Sequence, residues 1–258
     1  MPQARINGFN MHYTDHGTGT AIVFIHPPVL TSLSFQHQIE ALSARFRTIA
    51  FDIRGHGRSE ASKEAVTYSL IAEDIKGLMD ELKVEQAYLC GYSTGGSIVL
   101  EFLLAYPERA AGGIVIGGMS EVRDRKLKNA ISLGRLFAKF GAVGTIALAV
   151  SCGQSRKLSV IRSLYGDAKK GNAKNVQQYY RCSLHYNCTE RLTTIPHPVL
   201  LVYGEKDKRF RPYAELLHRR LPDSRLIFVK NVTHQIPTKA PERLNESIQR
   251  FIERRDPT

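Results

Sequence analysis

Short apolar, β-branched runs alternate with longer segments of helical periodicity along most of this 258-residue chain. Six such runs predict buried strands, at 21–26, 48–53, 87–92, 113–117, 198–203 and 225–230. Between most of them, apolar residues recur at three- and four-residue steps, as in 68–83 and 97–106, which predicts amphipathic helices. The Asn7-Gly8 step near the start is typical of a hairpin turn, so the sheet is expected to begin antiparallel. Because strands that alternate with helices form mostly parallel sheets covered on both faces, the pattern predicts an α/β fold.

The segment 120–196 departs from this alternation. It contains helical runs but no convincing strand, and it lies between two predicted strands of the sheet. A helical insertion in that position is typical of a lid, so we predict a core domain of 1–119 and 197–258 and a lid of 120–196. The lid contains 14 Lys and Arg against four Asp and Glu, which is a net charge of +10 out of +12 for the whole chain.

Composition narrows the class of protein further. The sequence has no signal-peptide pattern and no apolar run of about 18 residues, which predicts a cytoplasmic protein without a membrane span. The four cysteines show no CxxC spacing and are expected to be free thiols. The basic lid raises the possibility of a nucleic-acid partner or of an anionic membrane, but no nucleic-acid-binding motif accompanies the charges, so no nucleic acid is predicted. The lid cations are expected to form solvated faces, with attraction of acidic substrates as the alternative.

The stretch "GYSTGG" at 91–96 follows a predicted strand and opens a predicted helix. A strand that folds abruptly into a helix brings the residues two before and two after the turn residue close together, which requires glycine at Gly91 and Gly95. The turn residue, Ser93, then projects its hydroxyl above the sheet, as a nucleophile requires. The alternative, in which Ser93 is only a helix N-cap, leaves the glycines unexplained.

A serine nucleophile needs a base, and the base needs a group that fixes its tautomer. Asp207 follows the predicted strand 198–203, and His234 follows the predicted strand 225–230. Because the carboxyl ends of parallel strands meet at one edge of a sheet, Ser93, Asp207 and His234 are expected to converge there.

Other residues compete for these roles. Glu205, Glu121 and Asp124 are alternatives to Asp207, because each also follows a predicted strand. His56 lies near a strand end, but its Gly-His-Gly setting is typical of a tight turn, and we predict a structural role for it.

Nearly the whole chain resembles the α/β-hydrolase superfamily. The resemblance rests on the His26-led strand end, "DIRGHGRS", "GYSTGG", "VYGEKD" and the late "VTH". Within that superfamily the chain is most similar to small, lidded serine hydrolases of the carboxylesterase type. Haloalkane dehalogenases and epoxide hydrolases have an aspartate where this chain has Ser93. The resemblance implies an eight-stranded sheet with the lid after its sixth strand, a Ser93, Asp207 and His234 triad, an acyl-enzyme intermediate, and no cofactor or metal.

The sequence departs from that family at His26-Pro27-Pro28, where relatives typically have His-Gly-X. The backbone N–H of X and that of the residue after the nucleophile form the oxyanion hole of the relatives. Pro28 has no N–H, so we predict that Thr94 N–H and Val29 N–H donate instead. The alternative donors are the side chains of Thr31, Ser32 and Tyr92. A reaction that builds less charge on that oxygen is the remaining explanation.

We predict from these features a serine hydrolase of small or medium carboxylic esters. Tyr92, Phe137 and Tyr180 are expected to line its substrate pocket. Hydrolysis of a thioester or of a carbon–carbon bond remains open on the same triad. A ligand-binding or signalling protein with little turnover is the alternative from another class, and Pro28 is the feature that favours it. The oligomeric state does not follow from the sequence.

Overall fold

The computed structural model describes residues 2–255, which contain a sheet of eight strands. The strands are β1 (Gln3–Ile6), β2 (Phe9–His16), β3 (Ala21–Ile25), β4 (Arg47–Phe51), β5 (Ala87–Tyr92), β6 (Ala110–Ile116), β7 (Val199–Gly204) and β8 (Ser224–Val229). Their order is β1-β2-β4-β3-β5-β6-β7-β8. β2 pairs antiparallel with β1 and β4, and all other neighbours are parallel. The predicted fold class and the antiparallel start of the sheet are therefore confirmed.

Ten α-helices accompany this sheet in the described residues. They are α1 (Gln36–Leu42), α2 (Tyr68–Glu81), α3 (Thr94–Ala105), α4 (Arg125–Lys139), α5 (Val143–Gln154), α6 (Leu158–Ala168), α7 (Ala173–His185), α8 (Arg211–Arg220), α9 (Ile236–Lys239) and α10 (Pro241–Glu253). The four helices α4 to α7 lie between β6 and β7, within the segment for which only helices were predicted. α3 begins at Thr94 rather than at 97, because the turn at Ser93 leads directly into the helix and makes Gly95 and Gly96 helical.

Both faces of the sheet are buried, which explains why the strands are almost continuously apolar. In β3, Val23 and Ile25 join the core beneath α2, α3 and α8, whereas Ile22 and Phe24 join the core beneath α1 and α10. Successive side chains of a strand point to opposite faces, so a strand covered on both sides needs apolar residues at every position. None of the described helices is both long enough and apolar enough to cross a lipid bilayer. All four cysteines are free, as predicted.

Candidate active site

Ser93 occupies a sharp turn between β5 and α3, with φ 54° and ψ −122°. Its N–H donates to the carbonyl of Ile116 at 2.7 Å, which ties the turn to the neighbouring strand β6. A Cβ at Gly91 would overlap the carbonyl of Gly95, and a Cβ at Gly95 would overlap the carbonyl of Ile25. The glycines therefore meet the steric requirement that the sequence predicted, and the strained turn presents the hydroxyl of Ser93.

The side chains of Ser93, His234 and Asp207 form a chain of two hydrogen bonds. His234 Nε2 lies 3.0 Å from Ser93 Oγ, and His234 Nδ1 lies 3.0 Å from Asp207 Oδ2. Because a carboxylate accepts only, His234 donates its Nδ1–H to Asp207, which leaves Nε2 as the acceptor for the serine proton. The structure thus brings together the three residues that the sequence selected, and in a neutral imidazole this arrangement leaves Nε2 facing Ser93 Oγ as an acceptor.

Aromatic packing and one glycine hold the His234 ring in place. The rings of Phe210 and Tyr92 lie with their centroids 4.2 and 5.4 Å from that of His234. Gly117 has φ +57°, and a Cβ there would lie 2.9 Å from the Cε1 atom of His234. A side chain at this position would be strained and would also push the imidazole away, so Gly117 permits the approach of His234 to Ser93.

Buried hydrogen bonds fix the loop that begins at His26. The N–H of Ile53 donates to His26 Nε2 at 2.9 Å, so the ring proton is on Nδ1, which donates to the carbonyl of Pro27 at 2.9 Å. Tyr179 donates its hydroxyl to the carbonyl of His26 at 2.9 Å. His26 is fully buried, and burial lowers its pKa to about 4, so it remains neutral as this network requires.

His56 lies behind this loop and does not contact the Ser93–His234 pair. Its ring packs against those of His26 and Tyr179, and its Nδ1 lies 3.2 Å from the carbonyl of Arg54. Burial and then repulsion from His26 lower the pKa of His56 to about 3. These contacts agree with the structural role that its Gly-His-Gly setting predicts.

Burial of His26 and His56, which are fully inaccessible to solvent, predicts that the stability of the fold decreases in mild acid. The unfolded chain binds protons on them below a pKa near 6.5, whereas the folded chain does so only near pH 4 and 3. The stability that these neutral histidines contribute is therefore complete above pH 6.5 and is lost progressively as the pH decreases below that value. Between pH 7.5 and pH 5 each histidine should remove about 2 kcal/mol from the free energy of unfolding. Guanidinium denaturation at the two pH values measures the loss.

The variant His56→Asn should lose about 2 kcal/mol less over this pH interval than the wild-type chain. His16→Asn is the matched control, because His16 is exposed on the surface. An unchanged pH dependence in His56→Asn would show that His56 is not the neutral, buried group described here.

The backbone after Pro28 is strained. Val29 has φ 73°, a left-handed value that is a genuine outlier for a β-branched residue. Its side chain is fully buried against apolar residues of the helical segment 120–196. The N–H groups of Val29 and Thr94 donate no hydrogen bond to any other residue within 2–255. The Ser32 hydroxyl, in contrast, already donates to Asp52 Oδ1 at 2.8 Å, which removes it from the alternative oxyanion donors.

A cavity of about 300 Å³ opens beside Ser93 and His234. Its other lining residues are Pro27, Pro28, Leu30, Tyr92, Thr94, Met119, Leu127, Ile131, Ala149, Val150, Gly153, Gln154, Tyr180 and Gln235. The lining includes no Lys, Arg, Asp or Glu from the described residues. No group of three or more His, Cys, Asp or Glu side chains in residues 2–255 is placed to hold a metal ion.

Tyr92 and Tyr180 line this cavity, whereas Phe137 does not. Phe137 is 40% exposed, because α4 turns Leu127 and Ile131 toward the cavity and Phe137 lies on another face of the helix. The structure therefore does not place Phe137 at this cavity.

Several lining residues were not predicted from the sequence, among them Met119, Gln154 and Gln235. Met119 follows β6 at the carboxyl edge of the sheet, and Gln235 follows His234, so position alone offered a signal for both. Gln154 ends α5 and had no such signal. Its Oε1 accepts from Thr238 Oγ1 at 3.2 Å, which holds the amide at the cavity wall.

A mostly parallel eight-stranded sheet of this order, with a serine at a strand-to-helix turn above its carboxyl edge, defines an α/β hydrolase. A family model described as alpha/beta hydrolase fold matches residues 20–237, and the chain belongs to this family.

Known proteins similar to this chain include hydrolases and a synthase. The putative 2-succinyl-6-hydroxy-2,4-cyclohexadiene-1-carboxylate synthase of Bacillus subtilis is 28% identical over 80% of this chain and 81% of its own. A thermophilic esterase from Thermogutta terrifontis has a TM-score of 0.85 at 22% identity, over 99% of both chains. An esterase from Exiguobacterium antarcticum has a TM-score of 0.88 at 20% identity, over 97% of this chain and 98% of its own. At these identities the structural matches show the fold alone, so the substrate must be argued from the site.

Proposed function

We propose that the protein is a serine hydrolase that cleaves small or medium, uncharged carboxylic esters through an acyl-enzyme on Ser93. The observation that carries the proposal is the pair of 3.0 Å hydrogen bonds that connects Ser93 Oγ through His234 to Asp207. These atoms lie beside a cavity that can admit the carbonyl carbon of a substrate. A serine, a base and an orienting carboxylate in this order are the groups that acyl transfer needs.

In the proposed reaction His234 Nε2 takes the proton of Ser93 as its Oγ attacks the ester carbonyl. Asp207 holds the imidazole in the Nδ1–H tautomer and stabilises the imidazolium that forms. His234 then returns the proton to the departing alcohol, and water activated by the same nitrogen hydrolyses the acyl-enzyme. The first of these steps moves the proton between two atoms that lie 3.0 Å apart, Ser93 Oγ and His234 Nε2.

The proposed oxyanion donors are the backbone N–H groups of Thr94 and Val29. Thr94 is the first residue of α3, so its N–H has no carbonyl partner within the helix and adds the positive end of the helix dipole. Val29 lies between Pro28 and Leu30, both of which line the cavity, and its strained φ is the kind of backbone conformation that functional sites retain. Each donor of this type typically contributes about 3 kcal/mol to the stability of the transition state.

The segment 120–196 is the proposed lid of this site. Its helices α4, α5 and α7 contribute Leu127, Ile131, Val150 and Tyr180 to the cavity wall, opposite the residues of the sheet edge. About half of the apolar lining therefore belongs to the lid, which supports a role for it in substrate choice.

The size and neutrality of the cavity predict which acyl groups react fastest. About 300 Å³ is at the small end for ligand pockets, and each methylene that enters it gains about 0.8 kcal/mol, or about fourfold in kcat/KM. We expect kcat/KM for nitrophenyl esters to rise with acyl length until the cavity is filled and then to fall. A kinetic series of straight-chain acyl groups measures this.

A matched pair of esters isolates the effect of charge. The 4-methylpentanoyl and succinyl groups have nearly the same shape, but only the second carries a carboxylate. Because the lining contains no cation to pair with it, we expect kcat/KM to be at least about a hundredfold lower for the succinyl ester. Equal rates for the two esters would contradict the proposed preference for uncharged substrates.

Active-site labelling tests the reaction class itself. A fluorophosphonate should label Ser93, as located by peptide mass spectrometry, and at least one ester of the series should turn over. Absence of labelling, or labelling without turnover of any ester, would instead favour a ligand-binding protein on this fold.

A further inference from the structure

The large apolar side chains that solvent reaches are confined to one part of the helical segment. Within residues 2–255 they are Leu133, Leu136, Phe137, Phe140, Leu148 and Leu158. All six fall in 26 consecutive positions of the chain, although the chain as a whole is 43% hydrophobic. Scattered exposed apolar residues need no explanation, but a contiguous exposed apolar patch marks an interaction surface.

Four of these residues form a stripe on α4 and its C-cap. Leu133, Leu136, Phe137 and Phe140 follow the spacing i, i+3, i+4, i+7, which places them on one face of a helix. We call this set the outer stripe. Phe140 is 76% exposed and Leu133 is 54% exposed, so no other described part of the chain covers them.

The opposite face of α4 is the one that packs into the protein. Leu127, Ile131 and Ala138 are buried there, and the first two line the cavity beside Ser93. α4 therefore carries two apolar faces, of which only the inner one has a partner within the fold. Packing within the described fold therefore does not explain why the outer stripe is apolar.

The charge around the outer stripe has a single sign. Between residues 125 and 166 the sequence has eight Lys and Arg and no Asp or Glu. The eight cations are Arg125, Lys126, Lys128, Arg135, Lys139, Arg156, Lys157 and Arg162. None of them forms an ion pair with any residue in 2–255. All six exposed apolar residues lie inside this acid-free segment.

We propose that the outer stripe and its flanking cations dock on an anionic lipid surface. A helix with exposed Leu and Phe bordered by Lys and Arg is the arrangement by which helices lie in the interface of a bilayer, with apolar side chains among the acyl chains and cations at the headgroups. A second copy of the chain would bring eight unpaired cations against eight more, which opposes self-association. A nucleic acid would pair with the cations but offers no apolar layer for the stripe.

This inference goes beyond the proposed hydrolysis and does not depend on it. In this proposal the outer stripe of α4 contacts the lipid, whereas the opposite face of α4 lines the cavity. The two faces are separated by one helix diameter, about 10 Å. An amphipathic ester held in the same lipid surface would then lie within reach of the site.

Vesicle flotation with the Ser93→Ala chain tests the proposal without hydrolysis of the lipid. The probe is vesicles of equal parts phosphatidylglycerol and phosphatidylcholine, compared with phosphatidylcholine alone. We expect the protein to float with the anionic vesicles at low salt, to float far less with the neutral ones, and to be released by added salt.

Two sets of variants separate the apolar from the charged contribution. Leu136→Ser with Phe140→Ser should lower the partition coefficient on anionic vesicles at least about tenfold, whereas Leu136→Ile with Phe140→Leu should keep it. Lys126→Gln, Lys128→Gln and Lys139→Gln together should lower it on the order of a hundredfold. The charge-matched control replaces the exposed Lys63, Lys83 and Lys230, which lie outside the acid-free segment, and should change it far less.

Thermal melting of each variant confirms that it is folded before its binding is read. Equal binding to neutral and anionic vesicles, or binding that survives loss of the outer stripe, would overturn the proposal. Dimers in analytical ultracentrifugation that disappear in Leu136→Ser with Phe140→Ser would assign the surface to a second copy and overturn it too. Binding to soluble polyglutamate as tight as to anionic vesicles would point to an acidic protein partner instead.

Discussion

Replacing Ser93 with alanine is expected to lower kcat for a nitrophenyl ester by about a millionfold. The variant removes the Oγ atom that would bond to the acyl carbon and that lies 3.0 Å from His234 Nε2. The cavity and its apolar lining remain, so KM should change little. Steady-state kinetics with the fastest ester of the acyl series measures kcat and KM separately.

Ser97→Ala provides the control for this experiment. Ser97 lies one turn further along α3, and its hydroxyl donates to the carbonyl of Met119 at 2.6 Å, away from the imidazole. This variant should keep most of the activity and should still be labelled by a fluorophosphonate, whereas Ser93→Ala should not be labelled. Retention of more than a few per cent of kcat in Ser93→Ala would mean that another residue is the nucleophile.

The sheet and the proximity of the three candidate site residues follow from properties that can be read directly from the sequence. Ser93, Asp207 and His234 come after β5, β7 and β8, which are parallel strands in one half of the sheet. Parallel strands place their carboxyl ends at the same edge, so chain order and strand periodicity together bring distant side chains to one place. The glycines around Ser93 add a local steric requirement that few other turns share.

The cavity wall could not be predicted in the same way. α4 has an apolar face toward the cavity and another toward solvent, and periodicity alone does not say which is which. Phe137 was expected at the cavity but belongs to the outer stripe, whereas Leu127 and Ile131 form the wall. The orientation of such a helix depends on how α4 packs on α5 and α7, which is a tertiary property.

The consequence of Pro27-Pro28 for the backbone that follows could not be predicted from the sequence either. The sequence shows that Pro28 lacks an N–H, but not where the next donor points. In the structure the backbone adopts a left-handed conformation at Val29. Hydrogen bonds from His26 to the carbonyl of Pro27 and from Tyr179 to the carbonyl of His26 fix the loop before it. Strain of this kind costs about 1–3 kcal/mol and persists only where surrounding contacts enforce it. Burial of the Val29 side chain against the helical segment supplies such contacts.

Replacing Asp207 with asparagine is expected to lower kcat by about ten-thousandfold. Asp207 Oδ2 accepts the Nδ1–H of His234 at 3.0 Å. Asparagine has almost the same shape, but its amide can donate to Nδ1 and so favours the opposite tautomer, in which Nε2 has no lone pair for the serine proton. It also supplies no negative charge for the imidazolium. The kinetic assay used for Ser93→Ala measures the loss, with melting temperature as the check on folding.

Glu205→Gln is the matched control, because Glu205 lies two residues earlier on the same loop. The carboxylate of Glu205 accepts a hydrogen bond from the N–H of Asn231 at Oε2, over 3.1 Å. Glu121, another competing acid, accepts hydrogen bonds from Arg123 and Thr189. Glu205→Gln and Glu121→Gln should therefore keep kcat within a few-fold of the wild-type value. A larger loss of activity in either of them than in Asp207→Asn would contradict the proposed role of Asp207. The carboxylate that orients the imidazole would then be Glu205 or Glu121.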